Sequence, residues 1–137
     1  MNAVEKYFFT PIYNPRTGWS VLGWWEARRP LYNLAVGAAG HVTLGAATAL
    51  ALLPPHPSPV LLPWAALVRG AVVYGVMANV CYSFGAPADL LLRRFIGDRG
   101  AAAGPVLFRY GFVFALGLTL LPIPLAALGW ALRLIFS

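Results

Sequence analysis

The chain has 137 residues; 60% of them are hydrophobic, only 10% are charged, and the formal net charge is +6. Soluble domains are about 45–50% apolar and about 25% charged, so this composition excludes an ordinary soluble fold and predicts an all-α integral membrane protein. The arginines are scattered along apolar segments and form no basic stripe, which argues against nucleic acid and favours anionic lipid as a partner.

Residues 1–29 are expected to form an N-terminal arm on the cytoplasmic side of the membrane or in its interface. The stretch YFFTPIYNPRTGWS has several aromatics, two prolines and no clear helical or strand period, so it cannot build a core by itself. We expect the arm to dock on a partner or on the membrane surface. Charged residues interrupt the apolar runs of this arm, so no cleavable signal peptide is expected.

The stretch GWWEARRPLYN, at the end of the arm, is typical of a membrane anchor. Trp24 and Trp25 suit the head-group layer, and Arg28 and Arg29 suit its cytoplasmic side. Glu26 lies three residues before Arg29, so the two side chains can pair on a short helix. This interpretation accounts for the acidic residue without assigning it a catalytic role.

Residues 30–137 are expected to form the transmembrane domain, which has three spans. The first span, about residues 31–53, has no charged residue and would measure about 34 Å as a helix, more than the hydrocarbon thickness of about 30 Å. Two consecutive prolines then end it. The second span, about residues 62–84, is interrupted by Arg69, whose long side chain we expect to snorkel towards the membrane surface.

The third span, about residues 105–130, lies in an apolar region that is too long for one straight span and too short for two. Pro122 and Pro124 each remove a helix donor, so we expect one bent or broken span, with a re-entrant hairpin as the alternative. Between the second and third spans, the stretch PADLLLRRFIG is expected to form a helix lying in the membrane interface.

The distribution of positive charge predicts the orientation in the membrane. Four basic residues precede the first span, residues 54–63 contain none, and residues 86–104 contain three. By the positive-inside rule, the N-terminus is expected on the cytoplasmic side and the C-terminus on the other side.

Small and polar residues on common helical faces predict contacts between helices. Gly75, Asn79 and Tyr82 share one face of the second span, while Gly111 and Ala115 are one turn apart in the third. In lipid, such faces turn towards other helices and away from acyl chains. Three spans offer few internal partners, so the surplus of packing surface indicates an oligomer or a larger complex of integral membrane subunits.

A histidine lies near the middle of the first span. His41 is flanked by Gly37 and Gly45, and the spacing of four places all three residues on one face. Three interpretations are open: a hydrogen bond to a neighbouring helix, an axial ligand to a haem or chlorophyll-type macrocycle, and a proton relay or an unneeded polar side chain. The small residue four positions earlier resembles the pigment-binding pattern of bacterial light-harvesting polypeptides.

Motifs of familiar enzymes are absent from the sequence. It contains no HExxH, GxSxG, CxxC or glycine-rich phosphate loop, and its four acidic residues all lie outside the predicted spans. Cys81 is the single cysteine, so no intrachain disulfide can form. We therefore expect no enzymatic activity, no metal site and no required cofactor.

Two segments, WWEARRPLYN (24–33) and ANVCYSFG (78–85), resemble a group of small bacterial inner-membrane proteins that combine WWExRRxxYN with NxxYxxG. The resemblance implies a bacterial inner-membrane location and no particular activity. The matching positions are Trp24, Trp25, Glu26, Arg28, Arg29, Tyr32, Asn33, Asn79, Tyr82 and Gly85.

The sequence thus predicts a non-catalytic accessory subunit of a larger bacterial inner-membrane complex, in contact with other integral membrane subunits and with lipid. One alternative is a pigment- or haem-binding subunit of a photosynthetic or electron-transfer assembly that uses His41. The second alternative is a small homo-oligomeric transporter or channel, gated by Arg69 and Asn79.

Overall fold

The structure of the protein, a computed structural model, describes residues 3–12, 17–54, 64–97 and 103–136. Within these ranges all regular secondary structure is helical. The helices are α1 (Ala3–Phe9), α2 (Gly18–Glu26), α3 (Arg29–Leu52), α4 (Trp64–Ser83), α5 (Gly85–Ile96), α6 (Ala103–Leu120) and α7 (Pro122–Phe136).

Three long apolar helical segments are able to cross a membrane: Gly18–Leu52, Ala65–Ile96 and Ala103–Phe136. They overlap the three spans that the sequence predicts, which confirms the all-helical fold class with three candidate spans. Residues 55–63, which include the predicted start of the second span at residue 62, lie outside the described residues, as do residues 98–102.

The described parts of the N-terminal arm are helical over α1 and α2, although the stretch YFFTPIYNPRTGWS has no clear helical period. Thr17 is the N-cap of α2, and its hydroxyl accepts a hydrogen bond from the Ser20 backbone N–H at 3.2 Å. Val21 and Trp25, four residues apart, lie on one face of α2, and both are buried. Only these two large apolar residues mark the buried face of α2, so its helical period is weak in the sequence.

Glycine and proline set the ends of the later helices. Gly97, which follows α5, adopts a positive φ of 63°, a conformation that ends helices and that glycine adopts at low cost. The helix predicted from PADLLLRRFIG is present as α5. α6 ends one residue before Leu121, and α7 begins at Pro122, whose ring nitrogen has no hydrogen to continue the helical bonding.

The chain divides into two compact units. Unit 1 comprises the described residues of Met1–Leu34 and Met77–Phe114, and unit 2 those of Ala35–Val76 and Ala115–Ser137. In unit 1, α2 packs against α5. The most deeply buried side chains of this unit are aromatic, aliphatic and, at one position, acidic: Ile12, Val21, Trp25, Tyr32, Ala86, Asp89 and Phe108.

Hydroxyl groups connect three helices within unit 2. The Thr43 hydroxyl of α3 donates to the Thr119 carbonyl of α6 at 2.8 Å, and the Tyr74 hydroxyl of α4 lies 2.5 Å from the Thr119 hydroxyl. Pro122 and Pro124 cannot donate to the carbonyls four residues earlier in the chain. Thr43 donates to the Thr119 carbonyl, which lies between those two and close to the boundary of α6 and α7.

The C-terminal end of α3 is held by side chains of α7, also within unit 2. Trp130 Nε1 donates to the Pro54 carbonyl at 3.0 Å, and Arg133 Nη2 donates to the Leu50 carbonyl at 2.8 Å. The last carbonyls of a helix have no donor within the helix, and a cation is favourable beside them. Arg133 of α7 therefore caps α3, and Trp130 bonds to the chain two residues beyond the end of the helix.

Candidate functional site

The two segments that carry the family resemblance meet in unit 1. The Tyr82 hydroxyl of α4 donates to the Trp25 carbonyl at 2.5 Å, and the Tyr32 hydroxyl of α3 donates to the Ala78 carbonyl at 3.2 Å. The rings of Tyr32 and Tyr82 lie 4.6 Å apart between centroids. Phe108, which is 1% exposed, packs edge-on against both Trp25 and Tyr82.

A buried carboxylate lies at the centre of this region. Asp89 of α5 is 0% exposed; its Oδ2 accepts from Trp25 Nε1 at 3.3 Å, and its Oδ1 accepts from Arg93 Nε at 2.7 Å. A buried charge is stable in a protein only when it is paired and hydrogen-bonded, and both conditions are met here. We refer to Trp25, Asp89 and Arg93 as the Asp89 cluster. Sequence reasoning placed Asp89 in the helix predicted in the cytoplasmic interface and did not detect this role.

Two glycines leave the space that the Asp89 cluster fills. A Cβ on Gly85 would stand 2.3 Å from Cζ3 of the Trp25 ring, and a Cβ on Gly104 would stand 2.7 Å from Oδ2 of Asp89. Both distances are shorter than any ordinary contact. A residue larger than glycine at either position would displace a member of the cluster. Gly85 was singled out from the sequence, whereas Gly104 was not.

Arg28 is a buried cation that is stacked on aromatic rings. Its guanidinium carbon lies 3.6 Å from the ring centroid of Trp24 and 5.0 Å from that of Tyr7. Arg28 Nε donates to the Tyr7 carbonyl at 3.0 Å, and Nη1 donates to the Trp24 carbonyl at 3.1 Å. Burial raises the pKa of the Tyr7 phenol, and the Arg28 charge opposes that rise. Arg28 thereby attaches α1 to the end of α2.

Replacing Arg28 with lysine is expected to loosen α1. An ammonium cannot stack on two rings and donate to two carbonyls in the fixed geometry of a guanidinium, so we expect a loss of about 2 kcal/mol in local stability. The loosening of α1 is measured as faster hydrogen exchange at the Thr10 amide, which bonds to the Lys6 carbonyl. Arg94→Lys, at an exposed position, is the control. Unchanged exchange in the Arg28 variant would contradict the attachment.

Arg29 connects three helices through polar contacts. It donates to both carboxylate oxygens of Glu26, at 2.7 and 2.6 Å, which confirms the ion pair predicted from their spacing. It also donates to Asn79 Oδ1 at 3.2 Å and to the Ser83 hydroxyl at 3.0 Å. Asn79 Nδ2 in turn donates to Asn33 Oδ1 at 2.9 Å. All four tryptophan and arginine positions that were predicted as interface anchors thus also make contacts within the protein.

His41 lies on an exposed face of α3. Its Nδ1 bonds to the Gly37 carbonyl of the same helix at 2.8 Å. No atom comes within 4 Å of a Cβ built on Gly37 or on Gly45. The described part of the chain therefore leaves this face uncovered.

Ala115, Gly75 and Gly111 were also predicted to contact other helices, and they differ in how closely other side chains approach them. Ala115 is buried, and its carbonyl accepts from the Thr119 hydroxyl at 2.7 Å. A Cβ on Gly75 or on Gly111 would meet no atom within 4 Å. Arg69 is exposed and donates through Nε to the Ala65 carbonyl of its own helix.

The hydrogen bonds and ion pairs of this region connect helices to one another. Within residues 3–12, 17–54, 64–97 and 103–136, no group of three histidine, cysteine or acidic side chains is placed to hold a metal ion. The buried acid is engaged by a tryptophan and an arginine, and the exposed acid Glu26 by another arginine. Comparison of the chain with protein families, with curated proteins and with solved structures finds no match.

Proposed function

We propose that this protein is a non-catalytic accessory subunit of a larger complex in a bacterial inner membrane. The observation that supports the proposal is the exposed face of α3 around His41. Placing an imidazole of a membrane helix against acyl chains is costly, and such residues nearly always face protein or a water-filled cavity. Because Gly37 and Gly45 leave open space on either side of His41, a helix of another subunit can approach the α3 backbone closely there.

We also propose an orientation of the chain in the membrane. The N-terminus is cytoplasmic, in keeping with the positive charge before the first span and between the second and third. The N-terminal arm and α5 lie in the cytoplasmic interface. The third span, α6 with α7, bends at Pro122 and Pro124, where the chain lacks two helix donors.

Site-specific photocrosslinking tests the proposed subunit contact in native membranes. A photoreactive residue at Leu44, which is exposed three residues after His41, is expected to crosslink to another protein subunit. Gly45→Leu is expected to fill the open space and to weaken co-migration with the complex by about tenfold, equivalent to about 1.4 kcal/mol.

Both control positions are exposed. The same photoreactive residue at Val72 of α4 tests for non-specific neighbours, and Gly129→Leu tests the effect of an added side chain at another open glycine. Migration of the native protein as a lone monomer, with no crosslink at Leu44, would refute the accessory role.

A second candidate function is favoured by the hydrogen bond of His41. A carbonyl oxygen can only accept, so Nδ1 donates its hydrogen to the Gly37 carbonyl, and the neutral form of the imidazole with this bond has its lone pair on Nε2. This is the state of a histidine that ligates a metal through Nε2, with its other nitrogen bonded to a carbonyl. A haem or chlorophyll-type macrocycle would find in Nε2 an axial ligand. A visible absorbance band in the purified native protein, lost in His41→Leu, would establish this function; a colourless protein would exclude it.

A further inference from the structure

α5 presents its apolar residues outwards and its charged pair inwards. The side facing the protein contains Ala86 and Asp89, both buried, and Arg93, whose side chain is 12% exposed. On the opposite side, Leu91 is 56% exposed and Phe95 is 78% exposed. A helix on the surface of a soluble domain has the reverse arrangement, since its apolar stripe faces the core.

The Asp89 cluster holds α5 in this orientation. If α5 rotated about its axis to bury Leu91 and Phe95, Asp89 would lose its hydrogen bond to Trp25 Nε1 and would leave the protein interior. The outward position of Leu91 and Phe95 is therefore a property of the packed structure. Phe84, one residue before the helix, extends the same side and is 67% exposed.

A cationic side chain accompanies these apolar residues. Arg94 is exposed, and no ion pair is formed by it within the described parts of the chain. Apolar side chains beside an exposed arginine are typical of helices that lie in the interface of an anionic membrane. The net charge of +6 favours the same kind of surface.

We propose that the outer face of α5, formed by Phe84, Leu91, Phe95 and Arg94, is a binding surface for anionic phospholipid. The three apolar side chains enter the boundary between head groups and acyl chains, and the Arg94 guanidinium bonds to the head-group phosphate. The inference rests on the proposed membrane location, and it does not depend on the existence of a partner subunit.

Spin labelling of the full-length protein in nanodiscs of phosphatidylcholine and phosphatidylglycerol tests the depth of this face. In a Cys81→Ser background, nitroxides are attached to Leu91→Cys or Phe95→Cys, with Leu128→Cys in α7 as the reference for a membrane span. We expect both α5 labels to be more accessible to oxygen than to a water-soluble nickel chelate, at a depth of about 5–10 Å.

Other results of the labelling experiment would overturn the proposal. Labels on α5 that are accessible to the nickel chelate would place this face in water, and dipolar broadening between labels at position 95 would indicate a second copy on it. If the Leu128 label also proved accessible to the chelate, the membrane location itself would fail. These accessibility measurements do not depend on a partner subunit, so they would stay the same if the proposed accessory role were wrong.

Lipid selectivity tests the contribution of Arg94. Native mass spectrometry of protein released from the mixed nanodiscs measures how much phosphatidylglycerol is retained relative to phosphatidylcholine. Arg94→Gln is expected to lower this ratio about fivefold, the effect of roughly one interfacial charge, whereas Arg94→Lys retains most of it. Equal ratios in the wild type and in Arg94→Gln would refute the recognition of anionic lipid by this residue.

Discussion

Replacing Asp89 with leucine is expected to destabilise the protein by about 3–5 kcal/mol, the usual cost of removing one partner from a buried ion pair. Asp89 is 0% exposed, and its loss leaves Arg93 as an uncompensated, largely buried cation. It also leaves the Trp25 indole N–H without its acceptor. Thermal unfolding of the purified protein in a mild detergent measures the change.

A double variant tests whether Asp89→Leu loses stability because Arg93 is left unpaired or because residue 89 packs differently. Asp89→Leu combined with Arg93→Met removes both charges and keeps similar volumes, and apolar replacements of buried pairs are often neutral or stabilising. We expect it to recover at least half of the stability that Asp89→Leu loses. If the single and double variants were equally unstable, packing at residue 89 and not charge pairing would be the main contribution.

Gly85→Ala is expected to destabilise unit 1 by about 1–3 kcal/mol through overpacking. The added methyl group would stand 2.3 and 2.4 Å from two carbons of the Trp25 ring. Trp25 is buried and bonded to Asp89, so its ring cannot move aside without weakening the Asp89 cluster. The measurement is again thermal unfolding, together with tryptophan fluorescence, which reports the surroundings of the ring.

Gly70→Ala is the matched control, because a Cβ at this position of α4 meets no atom within 4 Å. Alanine in a helix interior is favoured over glycine by about 0.5–1 kcal/mol, so this variant should be neutral or slightly more stable than the wild type. Equal effects at the two positions would mean that the contact between Gly85 and Trp25 does not limit packing.

The number and position of the apolar helices could be predicted from the sequence, because hydropathy and helix-breaking residues are local properties. The uncharged run that becomes most of α3 is followed by two prolines, and α7 begins at Pro122. The pair formed by Glu26 and Arg29 was predictable for the same reason, since three residues of helix place the two side chains on one side.

Helix faces and pairings were decided only by the tertiary structure. Trp25 and Asp89 are 64 residues apart, and nothing local to either predicts that the acid is buried and accepts a hydrogen bond from the indole N–H. The attachment of α1 by Arg28, the outward position of Phe95 and the exposure of His41 likewise depend on which neighbour each helix meets. Burial and charge pairing result from contacts between distant parts of the chain, whereas the periodicity of a single helix contains no information about its partners.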